Sequence, residues 1–266
     1  MTTDPGAVQS SFASHLARIR FHDAGSHNAL NPATLAALED ALAAASANAD
    51  CRVIVLESGH PTDFCRGLDF GFVAACEEDK LPLEVVAEYQ RLLSRIHDAP
   101  QPVIALIDGE VRAGGMGLTS AADIVIATAR STFTLTETVF GLVPWNVLPY
   151  LLRRVSVAKA RWMILTAATL DAAAGREAGL VDEVTADADD SEKAVKRLMK
   201  QLLRASPAAL AATKSFTSHI AGMTLDDACM AANGALTSWF EESENIDVLR
   251  QFLQGEAPPW FAKYRP

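Results

Sequence analysis

The sequence predicts an α/β fold in which short buried strands alternate with amphipathic helices and a helical region completes the chain. Apolar runs near residues 16–21, 53–56, 103–107 and 123–127 are separated by segments with helical spacing of apolar residues. Such runs suit strands covered on both faces, as in a parallel sheet with helical crossovers. From residue 147 onward the helical pattern dominates, so the strand-forming part comes first.

The first strand and the first helix have clear boundaries. Along residues 16–21, positions 17, 19 and 21 are apolar and alternate with positions that include Arg18 and Arg20. Asp23 then begins a turn that ends this strand. Asn31 is a good N-cap and Pro32 suits the first helical position, so we predict a helix from Pro32 to about Ala47.

The rest of the chain continues the same alternation. A helix is predicted over residues 82–97 and ends at 98–102. After the strand at 103–107, a glycine-containing loop at 113–117 leads into a helix-compatible segment at 118–122. The remaining predicted elements are strands at 123–127 and 131–135 and helices at 147–154, 157–166, 171–178, 191–204, 207–220, 224–241 and 245–254.

Composition predicts a globular, cytoplasmic protein. Of its 266 residues 50% are apolar and 21% are charged. The start of the chain lacks the pattern of a signal peptide, and no run of about 18 apolar residues suggests a membrane span. The formal charge of −10 opposes binding to nucleic acid or to anionic membranes. The cysteines at 51, 65, 76 and 229 form no CxxC pair, so we expect reduced thiols.

The glycines at residues 114, 115 and 117 suggest a place where the backbone contacts a ligand. They fall at a strand-to-helix joint, where main-chain N–H groups can approach closely and a helix's first turn favours negative charge. This arrangement suits an oxyanion, and the alternative is a tight turn or close helix packing. Gly67, which stands between large residues, is a second candidate for backbone contact.

Six motifs follow one another in a characteristic order and spacing. They are HNALN at 27–31, FCRGLD at 64–69, IDGEVRAGGMGL at 107–118, AADIVIA at 121–127, FTLTETVFGLVP at 133–144 and AAAGREAGLVDEV at 172–184. On these residues the chain resembles the crotonase (enoyl-CoA hydratase/isomerase) superfamily from about Leu16 to Trp260. The resemblance implies a crotonase spiral of ββα turns with the active site over residues 1–200, and a C-terminal helical trimerisation region over residues 201–266.

The resemblance also implies a thioester carbonyl held between two backbone N–H groups. These positions fall on Leu68, the residue after Gly67, and on Gly114. No metal or redox cofactor is expected, because the sequence shows neither a ligand cluster nor a dinucleotide fingerprint.

The catalytic side chains depart from the family pattern. The two backbone N–H groups that hold the carbonyl are called the oxyanion hole. Hydratases of the family use two glutamates, one three residues beyond the glycine of this hole and one twenty further on. These positions are Gly117 and Glu137 here, so the first glutamate is absent, and Glu110 lies too early in the loop to replace it. Glu137 is expected to act as a single general base or acid beside an enolate. The alternative is a surface or helix-capping carboxylate.

A narrower resemblance rests on FCRGLDF, GGMGL, FGLVPWNVLPYLLRRV and NIDVLRQFLQGEAPPWF. These segments are similar to those of the crotonase-type dehydratases of polyketide β-branching, which convert a 3-hydroxy-3-methylglutaryl group on acyl carrier protein to 3-methylglutaconyl. The resemblance implies the same dehydration. The alternatives are a decarboxylase or isomerase of an acyl-CoA or acyl-ACP, and a noncatalytic thioester-binding homologue.

The expected substrate-binding residues are Arg66, Gly67, Asp69, Trp145 and Asn146. Arg66 would reach a phosphate of the pantetheine arm, and the alternative is an arginine that only covers apolar surface. The source of the proton for the leaving hydroxide stays open between Glu137, a bound water and the side chains of Asp69, Trp145 and Asn146.

An acyl carrier protein and further copies of the chain are the expected partners. An acidic carrier needs a local basic group to overcome the net charge, and the candidates besides Arg66 are Arg153, Arg154, Lys159, Arg161, Lys263 and Arg265. A homotrimer or hexamer is expected through the C-terminal helices, where Trp239, Phe240, Leu249, Phe252 and Leu253 are too apolar for a solvated tail.

Overall fold

The computed structural model describes residues 8–23, 25–69, 71–72, 83–241 and 243–264, without the side chains of residues 243 and 244. Its strands in chain order are β1 (Val8–Ala13), β2 (Leu16–Phe21), β3 (Val53–Ser58), β4 (Asp63–Cys65), β5 (Val103–Ile107), β6 (Glu110–Arg112), β7 (Ile124–Thr128), β8 (Thr132–Thr134), β9 (Leu170–Asp171) and β10 (Glu183–Thr185).

The strands form two sheets. The larger has the order β1-β2-β3-β5-β7-β10, in which β1 and β2 are an antiparallel hairpin and the others pair in parallel. The smaller has the order β4-β6-β8-β9, with only β9 antiparallel to its neighbour. From β3 to β8 the chain three times places a strand of the larger sheet before a short strand of the smaller one, which confirms the predicted spiral of ββα turns.

The helices are α1 (Pro32–Ala47), α2 (Leu83–Asp98), α3 (Gly114–Ala121), α4 (Leu148–Leu151), α5 (Val157–Thr166), α6 (Ala172–Glu177), α7 (Ala188–Leu202), α8 (Pro207–Ile220), α9 (Leu225–Glu241) and α10 (Ser243–Leu253). A 3₁₀ helix covers Glu137–Phe140. The Asn31 side chain accepts from the Thr34 N–H and caps α1, as the sequence predicts. No described helix is long and apolar enough to cross a membrane.

Differences from the predicted elements have local causes. β1 was not predicted, because most of its residues are exposed and carry no buried alternation. β4, β6, β9 and β10 were missed because two or three residues are too few for a periodic pattern. The predicted loop at 113–117 is wrong at its end, since α3 already begins at Gly114.

The core lies on both faces of the larger sheet. Alternate residues of β3 point to opposite sides, so Ile54 and Leu56 pack in the cluster that contains α1, α2 and α3. Val53 and Val55 pack in a second cluster with α7, including Met199. Burial on both faces is the reason that the strands read as continuous apolar runs.

The C-terminal helices contact the core through few side chains. None of the described side chains of α8, α9 and α10 is fully buried. Lys214 ties α8 to the core through an ion pair with Asp123 at 2.6 Å. The tail then returns, because the Ala262 N–H donates to the Leu203 carbonyl and Arg52 donates to the Trp260 carbonyl. The boundary near residue 200 stays a prediction.

The described cysteines at 51, 65 and 229 are free thiols, while Cys76 lies outside the described residues. Cys65 is buried, and burial raises the pKa of its thiol to about 12. That these thiols are reduced in the protein stays a prediction.

Candidate active site

Gly67 brings the segment after β4 into direct contact with the start of α3. Its φ of +86° lies in the left-handed region that favours glycine. A Cβ atom here would lie 2.7 Å from the Gly114 nitrogen and 2.8 Å from the Ala113 Cβ. Only glycine therefore fits, and the two predicted hole positions are neighbours in space.

The backbone pairing around Leu68 does not use the N–H of Leu68 itself. Leu30 and Leu68 form an isolated parallel bridge, in which the Leu30 N–H donates to the Gly67 carbonyl at 2.6 Å and the Asp69 N–H donates to the Leu30 carbonyl at 2.9 Å. The N–H of Leu68 points away from this pairing, as alternate backbone groups of a strand do. The pairing with Leu30 therefore leaves this N–H available to a ligand.

The second predicted donor is the first N–H of α3. Ala113 precedes it with φ 45° and ψ −117°, a strained conformation for a residue other than glycine, and offers no side-chain cap. The Ala113 N–H donates to the Thr134 carbonyl at 3.0 Å, which ties the start of α3 to β8. The free N–H groups of a helix's first turn attract negative charge. The assignment of Leu68 and Gly114 as an oxyanion hole stays a prediction.

Glu137 lies shortly after β8, at the first position of the 3₁₀ helix. Its Oε2 atom is buried and has no hydrogen-bond partner among the described residues. Burial raises the pKa of the Glu137 carboxyl, against weaker stabilisation by backbone N–H groups of Glu137 and Thr136. A carboxylate with a free, desolvated oxygen is a strong base, which is what proton abstraction requires.

Tyr89 connects the glutamate to the glycine helix. Its side chain extends from α2, and its hydroxyl donates to the Gly114 carbonyl at 2.5 Å. After burial, the negative charge of Glu137 is one of the causes that raise the pKa of Tyr89. A Cβ atom at Gly117 would lie 1.9 Å from the Tyr89 hydroxyl oxygen. In the sequence Tyr89 is one residue of the helix predicted over residues 82–97, and no local motif distinguishes it.

Arg66 is held by a buried carboxylate. Its Nε donates to Asp63 Oδ1 at 2.6 Å, and Asp63 also bonds to Thr62 Oγ1 and His27 Nδ1. Burial alone would raise the pKa of Asp63, but the hydrogen bonds from Thr62, His27 and Arg66 outweigh it and lower the value to about 2. Arg66 also lies 3.7 Å from Glu110, so its guanidinium already faces two acidic groups.

Of the other predicted substrate-binding residues, Asp69 and Asn146 hydrogen-bond to the protein backbone, and Trp145 is exposed. Asp69 accepts from the backbone N–H groups of Gly71 and Phe72 through Oδ1. Asn146 donates to the Val86 carbonyl of α2 at 3.1 Å. Trp145 is 72% exposed. Their roles toward a substrate stay predictions.

Three potential metal ligands meet in the described residues, although the sequence showed no such cluster. His27, His60 and Asp63 place one ligand atom each within 4.8 Å of one another. The His60 Nδ1 lone pair already accepts from the Asp63 backbone N–H at 3.1 Å. Because that lone pair points to the backbone, the group works as a hydrogen-bond network around Asp63.

The family model for enoyl-CoA hydratase/isomerase matches residues 11–263. The bacillaene synthase dehydratase PksH of Bacillus subtilis is 28% identical over 256 residues, covering 95% of this chain and 96% of PksH. The mitochondrial methylglutaconyl-CoA hydratase of Mus musculus is 26% identical over 214 residues, covering 77% of this chain and 68% of that protein.

Solved structures agree with these sequence relatives. AtuE of Pseudomonas aeruginosa matches with a TM-score of 0.86 at 29% identity, covering 96% of this chain and 99% of AtuE. The match therefore extends over the spiral and the C-terminal helices together. The chain belongs to the enoyl-CoA hydratase/isomerase family, and it is an enzyme of the hydratase and dehydratase type.

Proposed function

We propose that this enzyme dehydrates 3-hydroxy-3-methylglutaryl-acyl carrier protein to 3-methylglutaconyl-acyl carrier protein in polyketide β-branching. The similarity to a bacillaene synthase dehydratase along nearly the whole chain supports the reaction and the carrier. The similarity to a methylglutaconyl-CoA hydratase supports the acyl group, because hydration of that group is the reverse of the proposed step.

The observation that carries the proposal is the buried Oε2 of Glu137, which has no hydrogen-bond partner in the described part of the chain. A desolvated carboxylate beside two backbone donors fits removal of a proton α to a thioester. Two N–H donors about 2.7–3.1 Å from the thioester oxygen would stabilise the enolate, and removing one such donor typically costs roughly 100-fold or more in rate. Glu137 would accept the α-proton, and the enolate would then expel the β-hydroxyl group.

The carrier poses an electrostatic problem for a chain of charge −10. Of the predicted basic groups, Arg154 is occupied internally, because it pairs with Asp182 and donates to the Ala122 and Leu180 carbonyls. Lys159 lies over the Trp162 ring at 4.8 Å. Arg66 lies beside the predicted hole and is 38% exposed at its side chain, so it is the candidate for contact with the pantetheine phosphate.

The decisive experiment is intact-mass analysis of acyl carrier protein loaded with 3-hydroxy-3-methylglutaryl and incubated with the enzyme. Loss of one water from the acyl group supports the proposal. We expect no such loss with the Glu137→Gln variant. Loss of carbon dioxide instead would identify a decarboxylase. An unchanged mass at stoichiometric enzyme would exclude the dehydratase.

An isomerase is the second candidate, because position 117 carries no carboxylate and a single base suffices to move a double bond. Incubation with carrier-bound 3-methylglutaconyl group in D₂O tests it. Deuterium uptake with a shifted double bond and no water addition would favour the isomerase over the dehydratase.

A further inference from the structure

The space that a side chain at position 117 would enter is filled by Tyr89. A Cβ atom there would lie 1.9 Å from the Tyr89 hydroxyl oxygen and 3.0 Å from its ring carbon Cζ. Position 117 is where hydratases of this family carry their first glutamate. The phenol therefore stands where the glutamate would extend, and only glycine leaves room for it.

The environment of Tyr89 is built to hold the hydroxyl in place. The ring is 8% exposed, and the hydroxyl donates to the carbonyl of Gly114, the residue whose N–H is the predicted hole donor. Among the described residues, the Glu137 carboxyl keeps one buried oxygen without a hydrogen-bond partner, and its charge acts on Tyr89. The phenol and the carboxyl group therefore belong to the same site beside Gly114.

We infer that Tyr89 is a catalytic residue that donates a proton to the departing β-hydroxyl group, in place of the absent glutamate. The inference rests on the dehydration chemistry of the proposed function. It adds a residue, and a proton path, that the sequence motifs do not contain.

The step balances without any further reactant. The Cα–H bond breaks and its proton passes to Glu137, while the electron pair forms the enolate. Collapse of the enolate forms the C=C bond and breaks the Cβ–O bond, and the leaving oxygen takes the Tyr89 proton to become water. The resulting phenolate recovers a proton from the Glu137 carboxylic acid, so both side chains return to their starting state.

A phenol at this place can keep its proton beside the Glu137 base. Burial, with added repulsion from Cys65, Glu137 and Tyr150, raises the pKa of Tyr89 well above its ordinary value, so the hydroxyl keeps its proton. Two carboxylates in one desolvated site would repel each other and raise one pKa. A neutral donor leaves Glu137 free to act as the base.

The test compares leaving groups in the Tyr89→Phe variant. Elimination from 3-hydroxybutyryl-CoA needs a proton on the leaving oxygen, whereas elimination from 3-chlorobutyryl-CoA does not. We expect Tyr89→Phe to lose water roughly 100-fold more slowly than wild type, as typical for loss of a general acid, and to expel chloride at a rate near wild type. Retained chloride elimination also shows that the site is folded.

Tyr150→Phe is the matched control. Tyr150 is equally buried in α4, and its hydroxyl bonds to Gln90 and Ser94 of α2 rather than to the glycine helix. Water loss should stay near wild type in this variant.

Equal slowing of both eliminations in Tyr89→Phe, or no slowing of either, would overturn the assignment. If the wild-type protein is inactive toward both CoA thioesters, the same two acyl groups are loaded on acyl carrier protein, and equal slowing of both eliminations there would overturn the assignment as well. The proposed substrate fails separately, if wild-type enzyme eliminates water from the CoA probe but leaves carrier-bound 3-hydroxy-3-methylglutaryl unchanged.

Discussion

Glu137 has two properties that destabilise the fold and that suit a catalytic base. Its Oε2 is buried and lacks a hydrogen-bond partner among residues that the structure describes, and burial raises the pKa of the carboxyl. A buried polar atom without a hydrogen bond destabilises a fold by about 1–3 kcal/mol. Such a cost is expected at a functional site, where the missing partner is supplied by the substrate.

We predict that Glu137→Gln abolishes dehydration and leaves the fold intact, since the change removes the base at nearly constant volume. The measurement is turnover of carrier-bound substrate, with circular dichroism and thermal unfolding as checks on the fold. Near wild-type turnover in this variant would remove Glu137 from the mechanism.

The same residue sets the pH dependence. A base must be ionised, so kcat/KM should fall as the pH drops through the Glu137 pKa, and this acid limb should lie above the ordinary glutamate range because burial raises that pKa. The kcat/KM profile of wild-type enzyme measures it. An acid limb at the ordinary value would contradict the desolvated site.

Asp63 stabilises the fold through its ionised form. Its folded pKa is lowered to about 2 from an ordinary value of 3.8, so its contribution is present above pH 3.8 and is lost as the pH falls toward 2. The shift corresponds to roughly 2 kcal/mol. We expect Asp63→Asn to lower the free energy of unfolding at pH 7 by about this amount, and to flatten its loss between pH 4 and 2 relative to wild type.

Arg66 is predicted to contribute to carrier binding. Arg66→Ala should raise the apparent Kd for carrier-bound substrate and weaken its salt dependence, because one charge contact with phosphate is lost. Arg112→Ala is the control, since Arg112 is also exposed and pairs with Glu110 at 2.7 Å. If the two variants bind the carrier alike, Arg66 has no special role and the basic contact lies elsewhere.

At the scale of elements, the site depends on how closely the β4 segment approaches the start of α3. Gly67 has both a left-handed backbone and a contact too short for a side chain, whereas Gly222 has a similar φ of +92° with nothing within 4 Å of an added Cβ. Substitution of Gly222 therefore tests backbone strain alone, whereas substitution of Gly67 tests backbone strain together with the close contact between the two segments.

We predict that Gly67→Ala lowers kcat at least 100-fold, because the added Cβ pushes Gly114 away from its hole position. Gly222→Ala should cost only backbone strain, about 1 kcal/mol of stability, and keep its activity. Activity assays and denaturant unfolding of both variants measure the difference. Equal activities would show that the contact between the two segments is not needed for catalysis.

At the scale of the whole molecule, the C-terminal helices leave much apolar surface uncovered. Leu225, Met230, Leu236, Phe252 and Leu253 are each more than half exposed. Helices with this much exposed apolar surface normally pack against a partner.

We predict a trimer, or a dimer of trimers, by light scattering at micromolar concentration, with contacts through α8 to α10. Replacing Leu249 and Phe252 together by Asp should lower the oligomeric mass, while Gln251→Asp on the same helix should not. A monomeric mass for the wild-type protein would contradict the prediction.

Patterns within single segments were sufficient to predict much of the fold. The apolar runs of β2, β3, β5 and β7 and the Asn31 cap of α1 depend on neighbouring residues, and the structure confirms them. Short strands such as β4 and β6 escaped prediction, because three residues are defined by the partners with which they pair and not by their own periodicity.

The residues of the candidate site divide in the same way. Gly67, Gly114 and Glu137 could be selected from the sequence, because glycine runs and a motif-placed carboxylate are visible one segment at a time. The place of Tyr89 against Gly117 could not, since these residues are far apart in the chain and meet only when α2 packs on α3. Close packing determines which distant side chain fills a given space, and that information is absent from local spacing.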